Sequence, residues 1–291
     1  MKMTDEGNKK VPWGLVLMGG GARGLAHIGL LEVLEGEGIT PDVVTGTSMG
    51  AIVGGLYAAG LEARELRRLA RDLDLKKYVP PRILAMVRKR NNPILNHFLF
   101  DFYIEKALGS KARKGGDRVE NYLKNLTGDV QIENLPLKFG CNALDLVSGR
   151  EHNFVSGPLY KAIRASMAYP VALDPARVRG RLFLDGGIVN NVPVRLAREI
   201  GAGKVVVSDI DRPVKPMAAS RFKKTFEILE RAYHIAVATA TKEKLKEADL
   251  VLAIPLEVDV LDFSRNDYVM RKGWRAAEEN VPAIKRLIGI E

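Results

Sequence analysis

Val43-Val44-Thr45-Gly46-Thr47-Ser48-Met49-Gly50-Ala51-Ile52-Val53 changes character at its centre. A β-branched run stops at Gly46, and past Gly50 the apolar residues continue through Leu56, Tyr57, Ala58 and Ala59, so the stretch reads as strand, sharp turn and helix. Its five central residues match G-x-S-x-G, the pattern of a nucleophile elbow. The requirement is steric: the incoming strand and outgoing helix nearly touch, and Gly46 and Gly50 present hydrogen where other residues carry Cβ. Such a turn leaves the Ser48 hydroxyl exposed above the C-terminal edge of the strand, beside the N–H groups that open the helix. Taken alone, the pentapeptide is equally compatible with a serine that merely caps a helix.

Outward from the elbow, the 291 residues are 46% apolar, enough for a sizeable core. Apolar runs of strand length alternate with helical spacing along the chain. That alternation predicts an α/β fold, a mainly parallel central sheet flanked by helices on both faces. The whole of 1–291 reads as one such domain, with residues 76–130 as a basic, apolar-rich helical cap inserted within it. The single cysteine, Cys141, excludes an intrachain disulfide, fits a cytoplasmic setting, and lies in an apolar alternating run that predicts a buried, inert thiol. Four scattered histidines show no zinc spacing, so no metal is expected. Two uncharged stretches, 11–18 and 43–61, read as a buried strand and as strand-turn-helix in place of membrane or signal segments.

The net charge of +10 is uneven, because residues 76–118 hold eleven Lys or Arg against three Asp or Glu. Apolar residues such as Ile83, Met86, Phe98 and Phe100 are interleaved with them. Basic and apolar groups together suit peripheral contact with an anionic membrane surface. A solvated face over an ordinary packed insertion is the alternative. No nucleic-acid-binding signature accompanies the charge, so nucleic acid is not an expected partner. Within this insertion the pattern predicts a helix over 98–108, a loop at Gly115-Gly116 and a helix over 118–126.

Upstream of the elbow, the apolar run 13–18 predicts the first strand and ends in Gly19-Gly20-Gly21-Ala22-Arg23-Gly24. Gly19, Gly21 and Gly24 fit G-x-G-x-x-G, so a dinucleotide-binding oxidoreductase has to be weighed. That fingerprint wants an acid at the end of the second strand, whereas Asp42 precedes it. The other reading is an oxyanion hole, in which the N–H groups of Gly20, Gly21 and Ala22 turn toward one point beside Ser48. Adjacent parallel strands would bring the two loops to one edge.

A serine nucleophile needs a proton acceptor. His27 has the helical spacing of Leu30, Leu31 and Leu34 and reads as a packing residue, while His97, His152 and His234 sit in no glycine-bounded turn. Asp185 does: a short strand over 182–184 delivers it to Gly186 and Gly187. A carboxylate there works as a base only if burial raises its pKa. Otherwise Asp-Gly-Gly is a plain turn.

Together GGGARG at 19–24, GTSMG at 46–50 and DGG at 185–187, in this order on an α/β background, resemble the patatin-like phospholipase family. The run Ala165-Ser166-Met167-Ala168-Tyr169-Pro170 also looks like that family's small-residue helix leading to a proline. The resemblance implies a Ser48–Asp185 dyad without histidine, oxyanion donors from Gly20 and Gly21 with the Met49 N–H as a third, and hydrolysis of lipid acyl esters without metal or cofactor. Gly19, Arg23, Gly24, Gly46, Gly50, Gly186 and Gly187 would shape the loops around them. A lipid-binding regulatory module with little turnover is the alternative function.

Overall fold

A computed structural model describes residues 11–72, 113–170, 172–211, 213–222 and 225–290. Eight strands are found among the described residues, those expected over 13–18, ahead of Gly46 and over 182–184 included. They are β1 (Trp13–Leu17), β2 (Val43–Gly46), β3 (Lys138–Asp145), β4 (Arg150–Phe154), β5 (Ala176–Val178), β6 (Arg181–Asp185), β7 (Lys204–Asp209) and β8 (Leu250–Ala253). All belong to one sheet in the order β5-β6-β3-β2-β1-β7-β8, with β4 alongside β3. The centre is parallel: β1 pairs with β2 and β7, β2 with β3, and β7 with β8. One end is antiparallel, where β3 meets β4 and β6, and β5 meets β6.

Every residue of β1 and β2 is buried, which is why their sequences are apolar or β-branched without alternation. Helix α1 spans Ala26–Gly36, α2 spans Met49–Ala58 and α3 spans Ala63–Asp72. On one face of the sheet Leu17, Val44 and Phe139 pack against Gly54 of α2. On the other, Gly14 lies against Ala197 and Ala202, and Gly140 against Leu196, which places α6 (Val194–Glu199) there. The sheet is thus covered by helices on both sides.

Helix α4 (Arg113–Thr127) runs straight through Gly115-Gly116, where a loop was expected. The glycine is there for space: a Cβ on Gly116 would lie 2.1 Å from Asp174 Oδ1, and the Gly116 carbonyl accepts from Arg164 Nε at 3.2 Å. Arg164 belongs to α5 (Leu159–Ser166), so the described end of the basic insertion is fastened to that helix. The helix expected over 98–108, and the rest of the insertion from 76 to 112, lie outside the described residues.

Two long helices complete the chain, α7 (Thr225–Leu245) and α8 (Asn266–Ile288). Helix α8 is continuous through Gly273, although glycine weakens a helix interior. It crosses α1 so closely that a Cβ on Gly273 would sit 1.8 Å from the Ala26 carbonyl oxygen, and one on Gly29 would sit 1.9 Å from that of Met270. Among the described residues, no helix is long and apolar enough to cross a membrane.

Candidate active site

The parallel register sets Gly46 of β2 beside Leu17 of β1 and Cys141 of β3, so the turns after β1 and β2 rise from the same sheet edge. Ser48 follows with φ 55° and ψ −118°, a conformation that side chains other than glycine rarely adopt and that costs about 1–3 kcal/mol. The crowding that enforces it is measurable. A Cβ on Gly46 would lie 2.3 Å from the Gly50 carbonyl oxygen, and one on Gly50 would lie 2.0 Å from that of Leu17. The Ser48 N–H donates to Ser166 Oγ at 2.9 Å, and α2 begins at the next residue.

Asp185 arrives from the far side of a shared edge. Residues 143–145 of β3 pair with β4 on one side and with β6 on the other, while Cys141 pairs with Phe154 of β4 and Gly46 of β2. Strands β2 and β6 therefore occupy the same edge of β3 and point at each other, Gly46 opposite Cys141 and Asp185 opposite Ala143. Across the gap Ser48 Oγ donates to Asp185 Oδ2 at 2.5 Å. The other carboxylate oxygen accepts the Gly187 N–H at 2.8 Å. Burial pushes the Asp185 pKa up to about 6, against the opposing pull of those two hydrogen bonds.

The glycine loop touches this pair: a Cβ on Gly19 would be 3.2 Å from that of Ser48. Gly19 itself is held by Asn191, whose Oδ1 accepts its N–H at 3.1 Å and whose Nδ2 donates to its carbonyl at 3.0 Å. The N–H groups of Gly20, Gly21 and Met49 find no acceptor among the described residues, and all three residues are partly exposed, as is Ser48. Ala22 departs from expectation. It is buried and its N–H donates to the Val260 carbonyl at 2.8 Å, so it is not available as an oxyanion donor. Gly21, at φ 54°, also lies against Val260, where a Cβ would come within 2.0 Å of the same oxygen. Gly24 makes room for Met49, Arg23 reaches Asp211 at 3.8 Å, and Gly186 sits against the Asn142 carbonyl.

Sequence reasoning passed over the groups that hold the dyad in place. Segment 165–168 grips both halves: Ser166 Oγ accepts from Ser48, and the Ala168 carbonyl accepts the Asp185 N–H at 3.0 Å. Asn142 fills the gap between β2 and β6, accepting from Thr47 Oγ1 at 2.7 Å and donating to the Asn190 carbonyl at 2.8 Å. Glu151 Oε1 in turn accepts from the side-chain amides of Asn142 and Asn190. The available signal was an asparagine inside the apolar run of β3, a polar group whose burial demands partners.

His27 is buried at the foot of the loops, its Nε2 on the Met18 carbonyl at 2.8 Å and its Nδ1 on Ser208 Oγ at 2.9 Å. It is a packing histidine, as expected, and burial lowers its pKa to about 4. Asp42 caps the Trp13 N–H at 2.9 Å, at the start of β1. The second strand instead ends at Gly46, without the acid that a dinucleotide site places there beside a ribose. Among the described residues no group of three His, Cys, Asp or Glu is arranged to hold a metal.

Residues 15–198 match the family model described as Patatin-like phospholipase. Lysophospholipase nte1 of Emericella nidulans is 34% identical over 197 residues, which are 68% of this chain and 12% of that protein. A patatin-like phospholipase domain-containing protein of Caenorhabditis elegans is 34% identical over 201 residues, 68% of this chain and 13% of its own length. An uncharacterized NTE family protein of Mycobacterium tuberculosis is 26% identical over 303 residues, 94% of this chain and 47% of that one. The chain thus spans less than half the length of these curated relatives. Among solved structures, VipD from Legionella pneumophila superposes with a TM-score of 0.55 over 94% of this chain and 67% of that chain, at 17% identity, a likeness of fold. The match to the family model covers more than half of the sequence and includes the glycine loop, the elbow and the Asp-Gly-Gly turn: the chain belongs to the patatin-like phospholipase family.

Proposed function

We propose that this protein hydrolyses carboxylic esters of lipids, phospholipids or lysophospholipids, through Ser48 and Asp185. The observation that carries the proposal is the 2.5 Å hydrogen bond from Ser48 Oγ to a buried carboxylate whose pKa of about 6 lies near neutral pH. A base tuned to that range accepts a hydroxyl proton far better than an ordinary aspartate. The names of the relatives, a lysophospholipase among them, support the substrate class.

In the first half-reaction Ser48 Oγ attacks the ester carbonyl carbon while its proton passes to Asp185 Oδ2. The carbonyl oxygen takes up negative charge beside the Gly20, Gly21 and Met49 N–H groups, each such donor being worth about 3–4 kcal/mol in well-placed cases. The tetrahedral intermediate collapses, the C–O bond to the alcohol breaks, and Asp185 returns the proton to the leaving oxygen. Water then gives a proton to the same carboxylate and attacks the acyl-enzyme, the bond from the acyl carbon to Ser48 Oγ breaks, and Asp185 returns the proton to Oγ as the fatty acid leaves.

A fluorophosphonate probe tests this directly. The wild-type protein is expected to be labelled at Ser48, and Ser48→Ala and Asp185→Asn each to lose turnover of a chromogenic acyl ester by at least about a thousandfold. Labelling elsewhere, or retained turnover in either variant, would overturn the dyad.

A further inference from the structure

A surface helix ordinarily turns its apolar side inward; over its middle, α7 has an apolar side turned outward as well. At about 100° per residue, Ile228, Leu229, Ala232, Ile235, Ala236 and Thr239 fall on one face, and every one is exposed. The large side chains are well out in solvent, Ile228 at 51%, Leu229 at 60% and Ile235 at 43%. The loop that leads into the helix continues the patch with exposed Val214 and Met217. A contiguous apolar surface of this kind on a globular protein marks a place where something docks.

Charge and position indicate what docks. Residues 213–246 carry eight Lys or Arg against three Glu, so the apolar stripe runs through a strongly cationic segment. Away from that face Thr241 is buried, and Tyr233 is half-buried and close enough to Tyr169 and Asp185 for their charges to help raise its phenol pKa. One helix therefore carries Tyr233 within electrostatic reach of Asp185 and turns an apolar side outward, within a basic stretch of sequence. That combination is what an anionic bilayer interface rewards, since buried apolar area and charge attraction add there.

We infer that the outer face of α7, with Val214 and Met217, docks the protein onto an anionic lipid surface and sets the Ser48–Asp185 site against the lipids in it. The choice of a lipid surface over other partners rests on the lipid-ester reading above. The docking face belongs to a different stretch of the chain from the basic insertion at 76–118, most of which lies outside the described residues.

The test measures docking without catalysis. Full-length Ser48→Ala protein is floated with phosphatidylcholine vesicles, with and without phosphatidylglycerol, and compared with the same protein carrying Ile228→Glu, Leu229→Glu and Ile235→Glu. The expected result is binding that depends on phosphatidylglycerol, weakens with salt, and falls at least about tenfold in the triple variant. In the Ser48 background, the triple variant is expected to keep its melting temperature and its turnover of a soluble short-chain ester. Undiminished vesicle binding in the triple variant, or no binding by the parent, would overturn the proposal. So would a fall in melting temperature of several degrees, which would show the face packed against the rest of the chain. A dimer that sediments as a monomer once the glutamates are present would assign the face to a second copy and overturn it equally. Failure of Ser48 to react with the fluorophosphonate would remove the hydrolase reading while leaving the flotation result intact, so the two can fail separately.

Discussion

At the scale of single residues, the site is built by giving each polar atom one job. The Ser48 N–H is committed to Ser166 Oγ, so in the proposed mechanism the serine's own amide is not an oxyanion donor and that role falls to Met49 on one side and to Gly20 and Gly21 on the other. Ser48 Oγ is committed to Asp185, whose second oxygen is committed to Gly187. What remains adjustable is protonation. Burial is the largest influence on Asp185 and raises its pKa from 3.8 to about 6, so the base is spent by protonation as pH falls through that value. For a soluble ester, kcat/KM is therefore expected to be flat above about pH 7 and to fall tenfold per unit well below about pH 6, the profile of one essential free-enzyme base. A profile whose acid limb lies near pH 4 would show that Asp185 keeps the pKa of an ordinary aspartate and is not tuned by burial. Salt-dependent docking does not enter this measurement, since the ester is monomeric.

At the scale of elements, the decisive contact is between two strands that lie far apart in sequence and share one edge of β3. The alternation of apolar runs and glycine turns made the parallel centre of the sheet legible, because β1 and β2 are buried on both faces and say so in every residue. The elbow and the Asp-Gly-Gly turn were legible too, through the glycines that steric crowding demands. Strand β5 was not, since the alternation of Ala176-Arg177-Val178 runs for only three residues, too few to stand out. Nor were the continuous helices through Gly116 and Gly273 foreseen. Glycine there marks a close helix approach, and in sequence that looks the same as a break. The distinction can be tested on α8. Helix propensity alone would have Gly273→Ala gain about 1 kcal/mol. The steric clash with the Ala26 carbonyl, at 1.8 Å, outweighs it, and a net loss of about 1–3 kcal/mol is expected in urea unfolding. Gly36→Ala, at an exposed helix end with nothing within 4 Å, serves as the control and is expected to be neutral or slightly stabilising. Equal effects at the two positions would mean that α1 and α8 are not in contact there.

At the scale of the whole molecule, two buried titrating groups lie under the same set of loops and oppose each other. His27 ties Met18, just ahead of the glycine loop, to Ser208 at the end of β7, and burial lowers its pKa from 6.5 to about 4. Between those values the unfolded chain binds a proton that the folded chain refuses, so His27 stability is present above about pH 6.5 and is lost on acidification. Asp185 has the opposite sign. Its folded pKa of about 6 stands above the ordinary 3.8, so between these values the folded chain binds the extra proton and stability is lost as pH rises. The windows nearly coincide, and in the wild-type protein the two slopes largely cancel. Each can be exposed by removing the other. Relative to wild type, Asp185→Asn is expected to lose about 2 kcal/mol more on going from near pH 7 to about pH 4.5, because His27 then acts unopposed. His27→Gln is expected to lose about 2 kcal/mol less than wild type over the same interval, whatever its absolute stability. Urea unfolding at the two pH values checks both differences. An Asp185→Asn variant that tracked wild type across the interval would show that Asp185 does not titrate in that range in the folded protein, and would remove the physical basis for its proposed work as a base at neutral pH, whereas a His27→Gln variant that tracked wild type would show that folded His27 takes up its proton near pH 6.5, as the unfolded chain does.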